Sequence, residues 1–403
     1  MKVARCAVLG EGRPIRRLVW PVVLALILPG CVLWPRGRQA EQQKLDAQKQ
    51  FQQPFERRQL PPVPAPAAWR DVLERAFWAN GDLEAAYMQW RAAMTRIPQA
   101  AAWPNSNVMI SYSYLFSGGN MKSWDRTTLG AGFHPGVNLQ IPVKTYQAGK
   151  VALQEARAAA ERFRLAKFDL QRRVLEGYYN LALVEESVRI QRENVELLRQ
   201  LARSAQSRVE VGSPQQDLLK AQIEYRLAQN ELANLEADSR GRRAILNGML
   251  GRAPEEPLEL PAALPDPRPA ADDDRLIAMG VAANPELAEL AAQVAGRKDA
   301  LELARLRYIP DITPSFSMRG SLSQTLGAAV MLPSTVPAIR GAINEAKALL
   351  EASRAMSRQT GRDRAADFVA AIVFMRNAER QTALLADDAV SYTHLTLPTI
   401  LLV

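Results

Sequence analysis

One residue pattern with evident reactive chemistry lies near the start of the chain. Cys31 closes the tetrapeptide Leu28-Pro29-Gly30-Cys31, directly after an apolar run from Leu18 to Leu28. A thiol is a nucleophile through its thiolate, and so a candidate for covalent modification. Elsewhere the groups that chemistry requires are scarce or dispersed. The chain has two cysteines, Cys6 and Cys31, and two histidines, His134 and His394, far apart. Zinc, copper and iron sites draw on His and Cys, so no metal site and no cofactor is expected. Catalysis needs an acid, base or nucleophile converging on one point. The carboxylates here instead alternate in sign with Arg and Lys, the pattern of a solvated helix face, so no enzyme is expected.

The residues around Cys31 read as an export signal. Arg13, Arg16 and Arg17 form a basic region, and the apolar run of about 11 residues is too short to span a bilayer as a mature helix. The tetrapeptide resembles the lipobox of bacterial lipoproteins, in which the cysteine is acylated and becomes the new N-terminus. Pro29 is an unusual occupant of that motif, and an ordinary signal peptide that merely ends at a cysteine is the alternative. By the same resemblance Val32, where a retention signal would have an aspartate, favours the outer membrane. The mature chain would then keep no free thiol and no disulfide in an oxidising compartment.

Composition points the same way. Among 403 residues, 48% are hydrophobic but only 6% aromatic, and Ala and Leu dominate, which suits long helices. The net charge of +9 is spread along the chain. A nucleic-acid surface would gather its basic residues with aromatics between them, so no nucleic-acid partner is expected.

The elements that must position these residues follow in order. Residues 35–69, with Pro61-Pro62-Val63-Pro64-Ala65-Pro66, read as an extended, weakly structured linker or wrapping arm. An internal repeat comes next: Val72 aligns with Leu276, Asn80 with Asn284, Leu83 with Leu287, Gln89 with Gln293, and Ser111-Tyr112-Ser113 with Ser315-Phe316-Ser317, at one offset of 204 (276 minus 72). Each copy gives helix, proline-bearing break, strand, turn, strand, proline and long helix. Four segments alternate in the manner of membrane strands, at 108–116, 129–141, 312–319 and 326–332. In the first, Val108, Ile110, Tyr112 and Tyr114 fall on one face. A soluble hairpin on a helical body is the alternative.

From Leu153 to Val209, positions alternately three and four apart are apolar in fourteen of seventeen cases, a sustained heptad seam. No proline falls between Gln147 and Val211, so one helix of roughly 95 Å is expected. It stops at Val211-Gly212-Ser213-Pro214. Gly212 supplies the left-handed residue that ends a helix, and Ser213-Pro214 suit the start of the next. The chain returns at heptad spacing through Leu218, Ala221, Tyr225, Ala228, Leu232 and Leu235 to about Leu250. Charges lie on helix faces in alternating sign throughout.

This ordered set resembles the TolC-type outer-membrane efflux family. The resemblance rests on the paired strand hairpins, the prolines Pro142 and Pro333, the helix start Asn284-Pro285-Glu286-Leu287, and the tip Arg208…Val211-Gly212-Ser213…Asp217-Leu218-Leu219 with Ala221-Gln222. The helix end Leu246…Met249-Leu250-Gly251 also matches. It implies a mostly α protein with membrane β: long coiled-coil hairpins plus four strands per protomer, contributing to a trimeric 12-stranded barrel, with internal duplication. It further implies a passive outer-membrane exit duct of a tripartite export system, a homotrimer working with a periplasmic adaptor and an inner-membrane transporter. The exported class stays open between small molecules, metal ions and proteins. The tip residues Arg208, Val211, Gly212, Ser213 and Asp217 would dock the adaptor, or Gly212 would simply turn the chain.

The resulting organisation is a signal peptide at 1–30, lipid anchor and extended linker at 31–69, a first repeat at 70–265 and a second at 266–388. The second repeat departs from the family in supplying only the upper part of one helix of its long hairpin. Residues 389–403, around Ser391 to Ile400, break the helical pattern without a cap and read as a non-native tail or a short β segment. A periplasmic coiled-coil adaptor or structural lipoprotein is the competing reading. Adaptors pair a helical hairpin with Gly- and Val-rich β domains, in place of a duplicated strand pair.

Overall fold

Asn80 and Asn284 begin the regular part of each repeat in the same way, and the surrounding helices keep that register. The computed structural model describes residues 31–103, 108–117, 119–133, 139–212, 214–261, 272–332 and 335–385. The expected signal peptide, Pro333, Ser213, both histidines and the 389–403 tail lie outside these residues.

The described elements are, in chain order, strand β1 (Cys31–Val32), helices α1 (Arg38–Asp46), α2 (Trp69–Ala79) and α3 (Gly81–Ala101), and strands β2 (Ala102–Trp103), β3 (Val108–Tyr114) and β4 (Thr127–Phe133). Helices α4 (Pro142–Glu210), α5 (Gln215–Met249), α6 (Asp273–Ala283) and α7 (Pro285–Arg305) follow, then strands β5 (Asp311–Arg319) and β6 (Ser323–Met331) and helix α8 (Val336–Leu384). Helices α2 and α6 are both 11 residues, α3 and α7 both 21, and each pair is offset by the same 204 positions, as 273 minus 69 and 285 minus 81 show. Among the described residues, no helix is long and apolar enough to cross a membrane.

The chain divides into two compact units, and the two sequence repeats contribute segments to each. One takes the described residues within Met1–Gln39, Ala93–Glu155 and Val294–Ser353. It holds a four-stranded antiparallel sheet in the order β3-β4-β5-β6, and the short pair β1-β2. The strand boundaries shift by one to three residues at the segments read as 108–116, 312–319 and 326–332, and differ most at the second segment. The expected strand at 129–141 begins earlier, at Thr127, and residues 139–141 are not strand. Leu139 is buried, and α4 begins at Pro142. Proline at a helix's first position loses no hydrogen bond, because that position has no partner within the helix, and Pro142 begins the helix directly after these residues.

The other unit takes the described residues within Ala40–Ala92, Ala156–Gln293 and Arg354–Val403. Its core is the heptad seam. Phe163, Leu170, Val174, Leu181, Val184 and Val188 are buried, and the seam thins to half-buried positions from Val195 to Val209. Gly177 sits on this seam, where an added Cβ would lie 3.2 Å from Met249 Cε. On the return helix Ala221, Ala228 and Leu246 are buried. Gln191 Nε2 donates to Ala228 O at 3.0 Å, and Arg192–Glu236 and Arg243–Glu185 pairs, both at 2.8 Å, bridge α4 and α5.

The arm preceding α2 is more ordered than its composition suggests. It contains α1 and two short 3-10 turns. Phe51 is buried, stacked on Tyr87 at 5.1 Å and edge-on to Phe163 at 5.9 Å. Arg58 grips Glu84 through two hydrogen bonds of 2.9 and 2.5 Å. Farther on, Tyr178 Oη donates to Ala67 O at 3.0 Å, with both residues fully buried. A polar, proline-rich strap becomes rigid here because single anchors, Phe51 and Arg58, seat it on the helices.

Candidate functional site

Three features bear on function: a sheet with two unlike faces, an interlocked pair of hairpin turns at one end of that sheet, and the glycine tip of the α4–α5 hairpin.

Residues directly opposite in an antiparallel ladder share a face, so the register sorts the sheet. One face carries Tyr112, Leu129, Met318 and Gln324 in one row, Ile110, Ala131, Phe316 and Leu326 in the next, and Ile312 opposite Val330. The other carries Ser111, Gly130, Ser317 and Thr325, and beside them Gly132, Ser315 and Gly327. The apolar face is open: Ile110 is 79% exposed, Tyr112 67% and Leu326 83%. Soluble monomers rarely leave so large an apolar surface bare. On the small-residue face the side chains nearly touch. A Cβ on Gly130 would lie 2.4 Å from Ser111 Oγ, and one on Gly132 3.2 Å from Ser315 Cβ.

At the turn end of the sheet, the two hairpins are joined. Asp125 Oδ1 accepts from Ser321 N at 2.8 Å and Ser321 Oγ at 2.6 Å. These two hydrogen bonds hold the carboxyl below the ordinary aspartate range, with Lys122 adding to the shift. Gly320, at φ +48°, packs so closely that a Cβ would meet Asp125 Cα at 2.4 Å. At the opposite end Lys144 Nζ donates to Asp311 Oδ1 and Ile309 O, both at 2.7 Å. There also β1 pairs with β2, Cys31 facing Trp103, and the Cys31 side chain is exposed.

The tip gathers Arg208, Val211, Gly212 and Asp217 at one turn; Ser213 lies outside the described residues. Gly212 has φ +101° with open space around it, so its backbone conformation, not crowding, selects glycine. Val211 is 85% exposed. Arg208 and Asp217 line a groove of 370 Å³ with Leu201, Lys220 and Glu224. The last three were missed from sequence, although Asp217, Lys220 and Glu224 recur at helical spacing three and four apart, and that periodicity was the signal available.

Comparison with known proteins fits this geometry. Residues 72–252 match the family described as outer membrane efflux protein. Among curated proteins none matches. Among solved structures, the fold is shared with the outer membrane protein VceC from Vibrio cholerae, at 15% identity, covering 82% of each chain with a TM-score of 0.62. It is shared with CusC at 17% identity, covering 86% of this chain and 85% of that one with a TM-score of 0.66. The open-state MtrE outer membrane channel of Neisseria gonorrhoeae is 17% identical, covers 82% of this chain and 78% of its own, and has a TM-score of 0.60. With the duplicated helices, the two-faced sheet and the long hairpin in place, residues 72–252 match the outer membrane efflux protein family, and the chain shares the fold of these outer membrane channels.

Proposed function

We propose that three copies of this chain close one 12-stranded barrel and form the passive outer-membrane duct of a tripartite efflux system, powered by an inner-membrane transporter through a periplasmic adaptor. The carrying observation is the sheet. Its apolar face suits lipid, its Ser- and Gly-rich face suits an aqueous lumen, and β3 and β6 stand at its edges. In a bilayer every backbone group must be paired, and only a closed barrel achieves that with strands. Four strands cannot close alone, so the edges call for neighbouring copies. The stripe Leu183, Ile190 and Leu197, exposed at seven-residue spacing along α4, offers a further packing face. The competing adaptor reading leaves the apolar sheet face without a solvent that suits it.

Two finer assignments belong to the same reading. Cys31 carries a lipid that holds the chain in the outer membrane; loss of lipid labelling in Cys31→Ser supports this, and unchanged labelling contradicts it. The tip around Arg208, Val211, Gly212, Ser213 and Asp217 docks the adaptor. The duct itself is tested by placing purified protein in a planar bilayer. Discrete conductance steps are expected, and absence of current at any protein concentration contradicts the reading.

A further inference from the structure

Within β5, alternate residues Asp311, Thr313, Ser315, Ser317 and Arg319 lie on the small-residue face, and Ile312, Pro314, Phe316 and Met318 on the apolar face. The two ionisable groups on the small-residue face sit at opposite ends of the strand and differ in one respect. Asp311 is neutralised by Lys144 at 2.7 Å. Arg319 is half-buried between Thr128 and Ser323, and its guanidinium has no ion-pair or hydrogen-bond partner among the described residues. The turn that joins β3 to β4 carries Lys122 and Arg126 against the single carboxylate of Asp125. Arg126 is tied down by the carbonyls of Met121 and Gly119, and Asp125 is committed to Ser321. The free charge that remains on this face is positive.

We infer that Arg319 sets the ion preference of the duct at its outer mouth, favouring anionic solutes. The inference rests on the barrel reading above, which turns the small-residue face towards the lumen. Three-fold repetition converts one guanidinium into a ring of three. Twelve strands spaced about 4.8 Å apart and tilted about 40° enclose a radius on the order of 12 Å. An arginine reaching inward from that wall brings the three charges within about one Debye length of the axis at 0.1 M salt, where that length is about 10 Å. Low-dielectric walls focus such a field. The other lumen-facing positions of the sheet, Ser111, Gly130, Gly132, Ser315, Ser317 and Thr325, carry no charge to oppose it.

The test is the reversal potential of the full-length channel in planar bilayers across a tenfold KCl gradient, for wild type and Arg319→Gln. The chloride-to-potassium permeability ratio is expected to fall by about twofold or more in the variant at low salt, and the difference should shrink towards 1 M salt, where the Debye length is about 3 Å. Arg319→Cys provides a second measurement that does not depend on folding with a new charge. Modification of the assembled variant channel by a cationic thiol reagent should restore the wild-type ratio, and an anionic reagent should move it the opposite way, with wild type as the control for Cys31. Wild-type currents with an unchanged ratio in both variants overturn the role of Arg319 and leave the duct standing. An absence of wild-type current overturns the duct reading and this inference together.

Discussion

Asn80 and Asn284, 204 residues apart, perform the same local task. Asn80 Oδ1 accepts from Leu83 N at 3.1 Å, and Asn284 Oδ1 accepts from Leu287 N at 3.3 Å and from Glu286 N at 2.8 Å. Each caps a 21-residue helix that follows an 11-residue one, so the duplication is one of backbone chemistry as well as of element order. Replacing either asparagine by alanine should lower stability by about 1 kcal/mol, read as a drop in the thermal unfolding midpoint of the solubilised protein. Equal losses at the two sites fit the shared role; no loss at either contradicts it.

Gly320 and Gly119 provide a matched pair. Both have positive φ, at +48° and +34°, but only Gly320 is crowded, with Asp125 Cα 2.4 Å from where a Cβ would sit. Gly119→Ala should cost about 1 kcal/mol, the backbone penalty alone. Gly320→Ala should cost clearly more and reduce the yield of assembled protein, because the clash is with backbone that cannot yield without breaking the Asp125–Ser321 contact. Similar thermal midpoints for the two variants contradict the interlocked-turn description.

The Asp125 contact makes one part of stability depend on pH. Its carboxyl is held below the ordinary range by the Ser321 hydroxyl and amide, so the folded state favours the ionised form more than the unfolded state does. That contribution is complete above the unfolded value of about 3.9 and is lost as pH falls through the lower folded value. Asp125→Asn removes the titrating group. The wild-type advantage in thermal midpoint should be constant from neutral pH down to about 5 and shrink below about 4. An advantage that grows on acidification contradicts the assigned direction.

Much of this was legible in the sequence and some was not, for definable reasons. The heptad seam, the Gly212 turn and the duplicated asparagines are local signals, fixed by spacing and by one residue's backbone freedom, and the helices end where they say. The seating of Phe51 against Tyr87 and Phe163, and of Arg58 against Glu84, depends on partners distant in sequence, so the arm read only as an extended, weakly structured linker or wrapping arm. Residues 139–141, read as strand from their alternation, instead lead directly into the helix that Pro142 begins. Of the tip, the turn residues were legible, and Lys220 and Glu224 share a helical face with Asp217, while Leu201 joins them only through the pairing of α4 with α5.

The exposed tip makes a separate prediction. Val211 is 85% exposed and Gly212 has open space around it, so changes there should leave folding alone. Val211→Arg together with Ser213→Glu should preserve membrane insertion and oligomeric state while reducing export and adaptor crosslinking by more than about tenfold, as expected when charge is forced into a docking contact. Export at the wild-type level in that variant assigns Gly212 and its neighbours to turning the chain and nothing more.

The central claim is that the exposed edges of the four-stranded sheet are completed by other copies of the same chain. Chemical crosslinking of the full-length protein, extracted from outer membranes in mild detergent and resolved by mass, tests it most directly. A ladder that reaches three subunits and stops there is the predicted result. A stable, water-soluble monomer that gives no crosslinked species contradicts it.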